Sequence, residues 1–259
     1  MDGIKKINRN EFSIIEAKHP FDGRLLAKDY FITIILYLIK EIKGIYFKGG
    51  TAIQKVILNH TRLSEDIDLT LTRNINDIKE EIIRIINDSN IFDKITQDKD
   101  VEGFTRLVLH YKNFYNEQDV IFIDLNERLK LILEPENYEI KHFYDNFIPN
   151  FKFPCEKIEE MIAGKMSAAI GRNKTRDHYD IYRLIKAGYT FNLKLVDKKC
   201  KNSNQEFSII KMFNNANKLH KRWNEDMIPL LVEEVSFIEV MRTLADYFNL
   251  KKEKESLKC

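Results

Sequence analysis

Apolar and polar positions alternate with two different periods along this chain, and the change of period divides it. The clearest period-two stretch is Asp66-Ile67-Asp68-Leu69, where acid and aliphatic residues take turns. On a strand this puts both carboxylates on one face and both aliphatics on the other. Just before it, Ile45-Tyr46-Phe47 is a β-branched and aromatic run that predicts a strand. The run breaks at Gly49-Gly50 and continues as a helix over Thr51–Leu58, so residues 45–71 form a strand, glycine turn, helix and second strand. Further strands are predicted over 104–111 and 120–125, joined by a hairpin connection at 113–118. Helical spacing marks 10–18, with Asn10 as N-cap, and 26–43, whose apolar side is broad. It also marks 74–87, where isoleucines stand at 75, 78, 82, 83, 85 and 86.

Residues 126–154 are mixed, with Pro135, Pro149 and Pro154 as breakers, and beyond them only helical spacing remains. Helices are expected over 156–170 and 176–187, with Gly171 and Gly188 as the residues that end them. Three more are expected over 205–219, 224–234 and 235–249, followed by a solvated tail at 251–259. The fold class is therefore α+β: a mixed β-sheet domain over 1–152 and an all-helical C-terminal domain over 153–259.

Composition narrows the function classes. The apolar fraction of 44% supports a packed core, and a net charge of +2 leaves any polyanion contact to local patches. Cys155, Cys200 and Cys259 have no C-x-x-C spacing, which argues against a disulfide framework or a zinc ribbon and fits a reducing cytosol. The N-terminal residues are polar, and the most apolar run, 30–39, is shorter than the roughly 18 residues that span a bilayer. A cytoplasmic, monomeric protein without membrane contact is expected.

Candidate chemistry gathers at five places. Lys48-Gly49-Gly50-Thr51 sits at a strand-to-helix turn, where glycine lets backbone approach a ligand closely and a helix N-terminus favours phosphate. A plain tight turn is the structural alternative. Asp66 and Asp68, two apart on a strand, have side chains that can converge on a divalent cation, and oxygen-only ligation suits Mg²⁺; solvated acids on an edge strand are the alternative. Asp124 interrupts an apolar strand and is either a strand-end cap, a third carboxylate or a general base. Lys165 lies within the stripe Ile158, Met161, Ile162, Met166, Ala169, so it either finds a buried partner or snorkels to the edge. Asp177 and Asp180, three apart on the next helix, supply such partners, beside a basic patch of Arg172, Lys174, Arg176 and Arg183.

Together these segments resemble the nucleotidyltransferase superfamily, whose pattern is G-[GS] in a strand–helix turn followed by D-x-D on the next strand. Lys48–Ala52, Arg62–Leu69, Lys165–Arg172, Arg176–Tyr182 and Trp223-x-x-Asp226 look like its AbiEii/AbiGii (MenT-like) toxin branch. The resemblance implies a nucleotidyltransferase-type sheet domain and transfer of a nucleotide from an NTP, with Mg²⁺ or Mn²⁺ held by Asp66 and Asp68. It places Lys165 and Asp180 at the family's functional lysine and D-x-x-D motif. Relatives are toxins paired with a transcription-regulating antitoxin and active in phage defence, and several modify the 3′ acceptor end of tRNA. On this basis Lys48, Gly49, Gly50, Thr51 and Ser64 are expected to hold the triphosphate, and Arg62 to contact the phosphates or the acceptor. Asp124 is expected to complete the metal shell or assist deprotonation of the acceptor. Lys165 would neutralise charge, oriented by Asp177 or Asp180, with the reaction in the cleft between the two domains. Expected partners are tRNA or another RNA and an antitoxin encoded nearby. A small-molecule, antibiotic-type nucleotidyltransferase and a catalytically silent NTP-binding module remain the alternatives.

Overall fold

The computed structural model describes residues 3–256. Its first compact unit, Met1–Lys157, is built on a seven-stranded sheet. In chain order the strands are β1 (Ile45–Lys48), β2 (Asp66–Leu71), β3 (Lys94–Val101), β4 (Phe104–Lys112), β5 (Gln118–Asn126), β6 (Glu136–Glu139) and β7 (Lys152–Cys155). They lie in the order β3-β4-β5-β2-β1-β7-β6. The β2–β5 and β1–β7 pairs are parallel and the other pairs antiparallel, so the sheet is mixed as expected. Pro154, expected as a breaker, lies within β7 opposite Asn137. Since β7 pairs into the sheet, the first unit runs five residues past the expected division at 152 and ends at Lys157.

Burial follows the period-two pattern. Ile67, Leu69, Ile121, Ile123, Leu125, Leu107 and Leu109 are buried on one face, whereas Asp66, Asp68, Phe122, Asp124 and Arg106 on the other are only half-buried. The apolar face packs with α2 (Gly23–Ile39) and α4 (Ile75–Ser89), while α1 (Arg9–Glu16) precedes them and α3 (Gly49–Ala52) follows β1. The α4 stripe is Ile75, Ile78, Ile82 and Ile86, the spacing its isoleucines predicted. Helix starts differ by one to three residues from expectation for capping reasons. Asn8, not Asn10, caps α1: it accepts from the Glu11 amide while Glu11 accepts from the Asn8 amide, a complete capping box. Asp22 starts α2 by accepting from the Arg24 and Leu25 amides, and the helix stops at Ile39 ahead of Gly44, whose φ of +82° turns the chain into β1. Asn113 closes the β4–β5 hairpin, its side chain accepting from the Tyr115 and Glu117 amides.

In the second unit, Ile158–Cys259, every regular element among the described residues is a helix. It comprises α5 (Ile158–Gly171), α6 (Thr175–Lys186), α7 (Leu193–Asn202), α8 (Ala216–Met227), α9 (Phe237–Tyr247) and α10 (Leu250–Ser256), with short 3₁₀ turns at Ile209–Phe213 and Ile228–Leu230. Gly188, with φ +81°, ends α6 as expected. Gly171 does not end α5 in that way. It is the last residue of α5, where a Cβ would fall 1.9 Å from Gln205 Oε1, and Asn173 takes the left-handed conformation instead. The helix α7 was not expected, and the expected 224–234 helix is split. Pro229 has no amide to donate, so α8 ends at Met227 in a 3₁₀ turn. The expected solvated tail begins as the exposed helix α10, and its last three residues lie outside the described ones. Cys155 and Cys200 are buried free thiols, and Cys259 lies outside the described residues. No helix among the described residues is long and apolar enough to cross a membrane.

Candidate active site

Strand register alone assembles a charged row on the half-open face of the sheet. Lys48 is the Cα partner of Asp68 across the β1–β2 pair, and Asp68 is the partner of Asp124 across β2–β5. Asp124 in turn faces Arg106 on β4. Directly opposed residues point to the same face, so Lys48, Asp68, Asp124 and Arg106 form one line, and Asp66 stands two residues along β2 on the same side.

The glycine turn closes over the middle of this row. Gly49 has φ +79°, and a Cβ built on it would lie 2.1 Å from Asp68 Oδ2. Only glycine lets the start of α3 come this near the carboxylate. After Ala52 the helix loosens to a π-helix over Ile53–Leu58, which ends at Asn59 and His60, both left-handed with φ of 51° and 58°. The π-helix is tied to α2 by a buried pair: Lys55 Nζ lies 2.7 Å from Asp29 Oδ1 and donates to Thr33 Oγ1 at 2.9 Å. Tyr144 donates to Asp29 from the other side at 3.2 Å. Neither Lys55 nor Asp29 was singled out in the sequence, where a lysine in an Ile-Gln-Lys-Val helix has no distinguishing mark.

Three of the expected phosphate contacts are spent inside the protein. The Thr51 hydroxyl is buried, donates to the Asp66 carbonyl and lies 2.9 Å from Ser64 Oγ. Together Thr51 and Ser64 therefore brace the glycine turn against the start of β2. Arg62, expected to reach phosphates or acceptor, is 1% exposed and donates from Nη1 to the Leu63 carbonyl at 2.8 Å. Its guanidinium holds the loop before β2.

Asp124 also differs from expectation. Both its oxygens accept from Arg106, Oδ1 from Nε at 2.6 Å and Oδ2 from Nη2 at 2.8 Å. These hydrogen bonds push the guanidinium's already high pKa further up. Asp124 stands directly beside Asp68 on this face, but both its oxygens are engaged by Arg106. Among the described residues no group of three His, Cys, Asp or Glu side chains is arranged to hold a metal ion. Asp66 and Asp68 still suit one hard cation. Both present carboxylate oxygens on one half-open strand face, and the shape of the turn at Gly49 leaves the Asp68 oxygen uncovered by any side chain at that position. Arg106 was missed in the sequence because its partner is eighteen residues away and only register brings them together.

In the second unit, Lys165 has found the buried partners its position called for. Its ammonium lies 3.1 Å from Asp177 Oδ1 and 2.9 Å from Asp180 Oδ2, with the lysine side chain 4% exposed and both carboxylates fully covered. Arg172, half-exposed, adds a bidentate pair to Asp177 at 2.8 Å on each side. Burial by itself pushes the Asp177 carboxyl up, but Lys165 and Arg172 outweigh it and hold the group well below the usual carboxylate range. Asp177 is thus sealed from direct contact with a nucleotide, and Arg172 is the member of the cluster that faces water. Asp226 accepts from Thr175 Oγ1 at 2.9 Å at the first residue of α6, and Trp223 donates to the Val235 carbonyl at 2.9 Å. The W-x-x-D spacing therefore anchors α8 against the start of the helix that carries Asp177 and Asp180.

Compared with known proteins, residues 38–247 match the family model described as nucleotidyl transferase AbiEii toxin, type IV toxin–antitoxin system. No curated protein matches the sequence significantly. Among solved structures, the chain is similar to JHP933 from Helicobacter pylori, at 20% identity and a TM-score of 0.60 over 92% of this chain and 98% of that one. It is similar to a putative nucleotidyltransferase from H. pylori, at 20% identity and a TM-score of 0.62 over 91% and 98%. A third neighbour is MenT4, a nucleotidyltransferase toxin from Mycobacterium tuberculosis, at 16% identity and a TM-score of 0.59 over 93% and 99%. At these identities the likeness to the solved structures establishes the fold.

Proposed function

Because the chain belongs to the AbiEii nucleotidyltransferase toxin family of type IV toxin–antitoxin systems, we propose that it is a Mg²⁺-dependent enzyme that moves a nucleoside monophosphate from an NTP to the 3′ end of tRNA. The observation that carries this reading is the Gly49 turn pressed against Asp68, which sets a carboxylate beside a backbone turn. In the reaction the acceptor hydroxyl oxygen forms a bond to the α-phosphorus. The bond from that phosphorus to pyrophosphate breaks, and the hydroxyl proton is released to solvent. Asp66 and Asp68 would hold Mg²⁺, which when bound supplies charge neutralisation and Lewis acidity at the phosphates. Lys48 with the Gly49 and Gly50 backbone would receive the triphosphate, and Thr51 and Ser64 keep that turn in place. In the helical unit Lys165 is paired with both Asp177 and Asp180, and Arg172 is the cation of that cluster open to solvent. In such reactions positioning and electrostatic stabilisation provide most of the acceleration.

The family implies a cognate antitoxin, which we place next to this gene as a transcription regulator, and a role in phage defence is the biological reading. We further place the protein in the cytoplasm as a monomer. The acceptor is tested by incubating the protein with each α-labelled NTP in separate mixtures of total tRNA, cell protein and aminoglycosides. Label confined to tRNA and removed by 3′ exonuclease is the expected outcome. Label on an aminoglycoside would establish the small-molecule alternative, and none on any acceptor the silent module.

A further inference from the structure

The row on the open face carries charge on four neighbouring strands, with its two acids, Asp68 and Asp124, flanked by the cations Lys48 and Arg106. The outer pair is fixed in two ways. Asp124 takes Nε and Nη2 of Arg106 in a bidentate bond, and the guanidinium lies 5.0 Å from the centre of the Phe122 ring. Phe122 is the Cα partner of Asp66, so the ring leads the guanidinium along the face toward that carboxylate. Of the five donor hydrogens on a guanidinium, Asp124 uses two. The carboxylate facing Nη1, that of Asp98, is 3.9 Å away, too far for a hydrogen bond. The Arg106 side chain is 24% exposed and that of Asp124 is 15% exposed, so the remaining donors can be reached. A partly buried ion pair contributes little net stability over apolar residues of the same size. Stability alone therefore does not account for placing one here.

We propose that Arg106 binds the triphosphate and that Asp124 is its positioning residue, acting through the guanidinium and not as a ligand to metal. Asp124 fixes the guanidinium so that its remaining donors meet an anionic oxygen of a nucleoside triphosphate seated over Asp66 and Asp68. The site then holds one divalent cation, at Asp66 and Asp68, and the guanidinium supplies the fixed positive charge that a second cation at Asp124 would otherwise bring. This inference rests on the reading of this face as the nucleotide site, and the experiment separates the two.

Full-length wild type, Asp66→Asn, Asp124→Asn, Arg106→Gln, Arg106→Lys and the Arg106→Gln/Asp124→Asn double variant are compared in two binding measurements. The first titrates a nonhydrolysable NTP analogue of each base. The second follows Mn²⁺ by the loss of its free electron-spin-resonance signal on titration with protein in the absence of nucleotide. Loss of a charged hydrogen bond predicts analogue binding about tenfold weaker or more in Arg106→Gln and in Asp124→Asn. Arg106→Lys should restore only part of it, because a lysine cannot satisfy Asp124 and a phosphate from one fixed plane. Asp124→Asn and the double variant should keep Mn²⁺ while Asp66→Asn loses it. The double variant leaves no unpaired charge, so it reports even if Asp124→Asn alone folds poorly. Loss of Mn²⁺ in the double variant to the extent seen in Asp66→Asn, or wild-type analogue binding by Arg106→Gln, would overturn the proposal and leave the nucleotide site standing. Unchanged binding of both ligands by Asp66→Asn would overturn the site itself.

Discussion

Gly49 shows how much one residue decides at this site. Its φ of +79° costs an L-residue about 1–2 kcal/mol. The added methyl would also meet the Asp68 carboxylate, which would have to move to make room. Gly49→Ala is therefore expected to lower unfolding free energy by about 1–2 kcal/mol and turnover by about tenfold to a hundredfold, read by urea titration and by labelled-NTP transfer. Wild-type turnover in a folded Gly49→Ala protein would show that the close approach has no chemical purpose. Alone, a glycine pair after a strand reads equally as a plain tight turn, and Gly49 was legible only together with the D-x-D alternation that follows it. Arg106, Asp29 and Lys55 were not. Each is an ordinary charged residue in its own segment and acquires a role only from a partner that strand register or helix packing supplies. Arg62 was misplaced because sequence spacing says where a side chain stands and nothing about whether its loop turns it inward.

At the scale of elements, the π-helix after the glycine turn is the least expected feature and the one most dependent on burial. It ends in His60, which is buried against Phe143 with neither ring nitrogen hydrogen-bonded. Burial first, then the nearby Lys55 together with His142 and Lys141, pushes the His60 pKa down to about 3, against a weaker opposing pull from Asp29. A group whose pKa is depressed on folding contributes stability above its unfolded value of 6.5 and loses it as pH falls toward 3. The fold should therefore lose about 1.4 kcal/mol per pH unit from this histidine across that window. His60→Asn, which tolerates the left-handed backbone, should flatten the dependence when urea midpoints are compared at pH 7 and pH 5. Equal slopes in the two proteins would mean that His60 takes up its proton inside the fold. Helix identity in the C-terminal unit was only partly readable: α5 and α6 carry strong stripes and clear ends, whereas α7 is short and lysine-rich and shows its apolar side only when packed.

For the whole molecule, the two compact units each contain a cluster in which acids fix a cation: Asp124 with Arg106 in the sheet unit, and Asp177 and Asp180 with Lys165 in the helical one. With a net charge of only +2, affinity for a polyanionic substrate has to come from such local cations. The fold class was legible because strand and helix periods are mixed up to about residue 154 and only helical spacing follows. The sheet order was not, since β2 and β5 are separated by a helix and a hairpin that no local pattern ranks. Nucleotide transfer is expected to depend on Asp66, on its half-open strand face. The most direct test is transfer from α-labelled NTP to total tRNA by wild type and Asp66→Ala, both with Mg²⁺ and with EDTA. Transfer by wild type should require Mg²⁺, and Asp66→Ala should fall by about a thousandfold or more while its thermal unfolding stays near that of wild type. Normal incorporation by Asp66→Ala, or transfer by wild type undiminished in EDTA, would contradict the account.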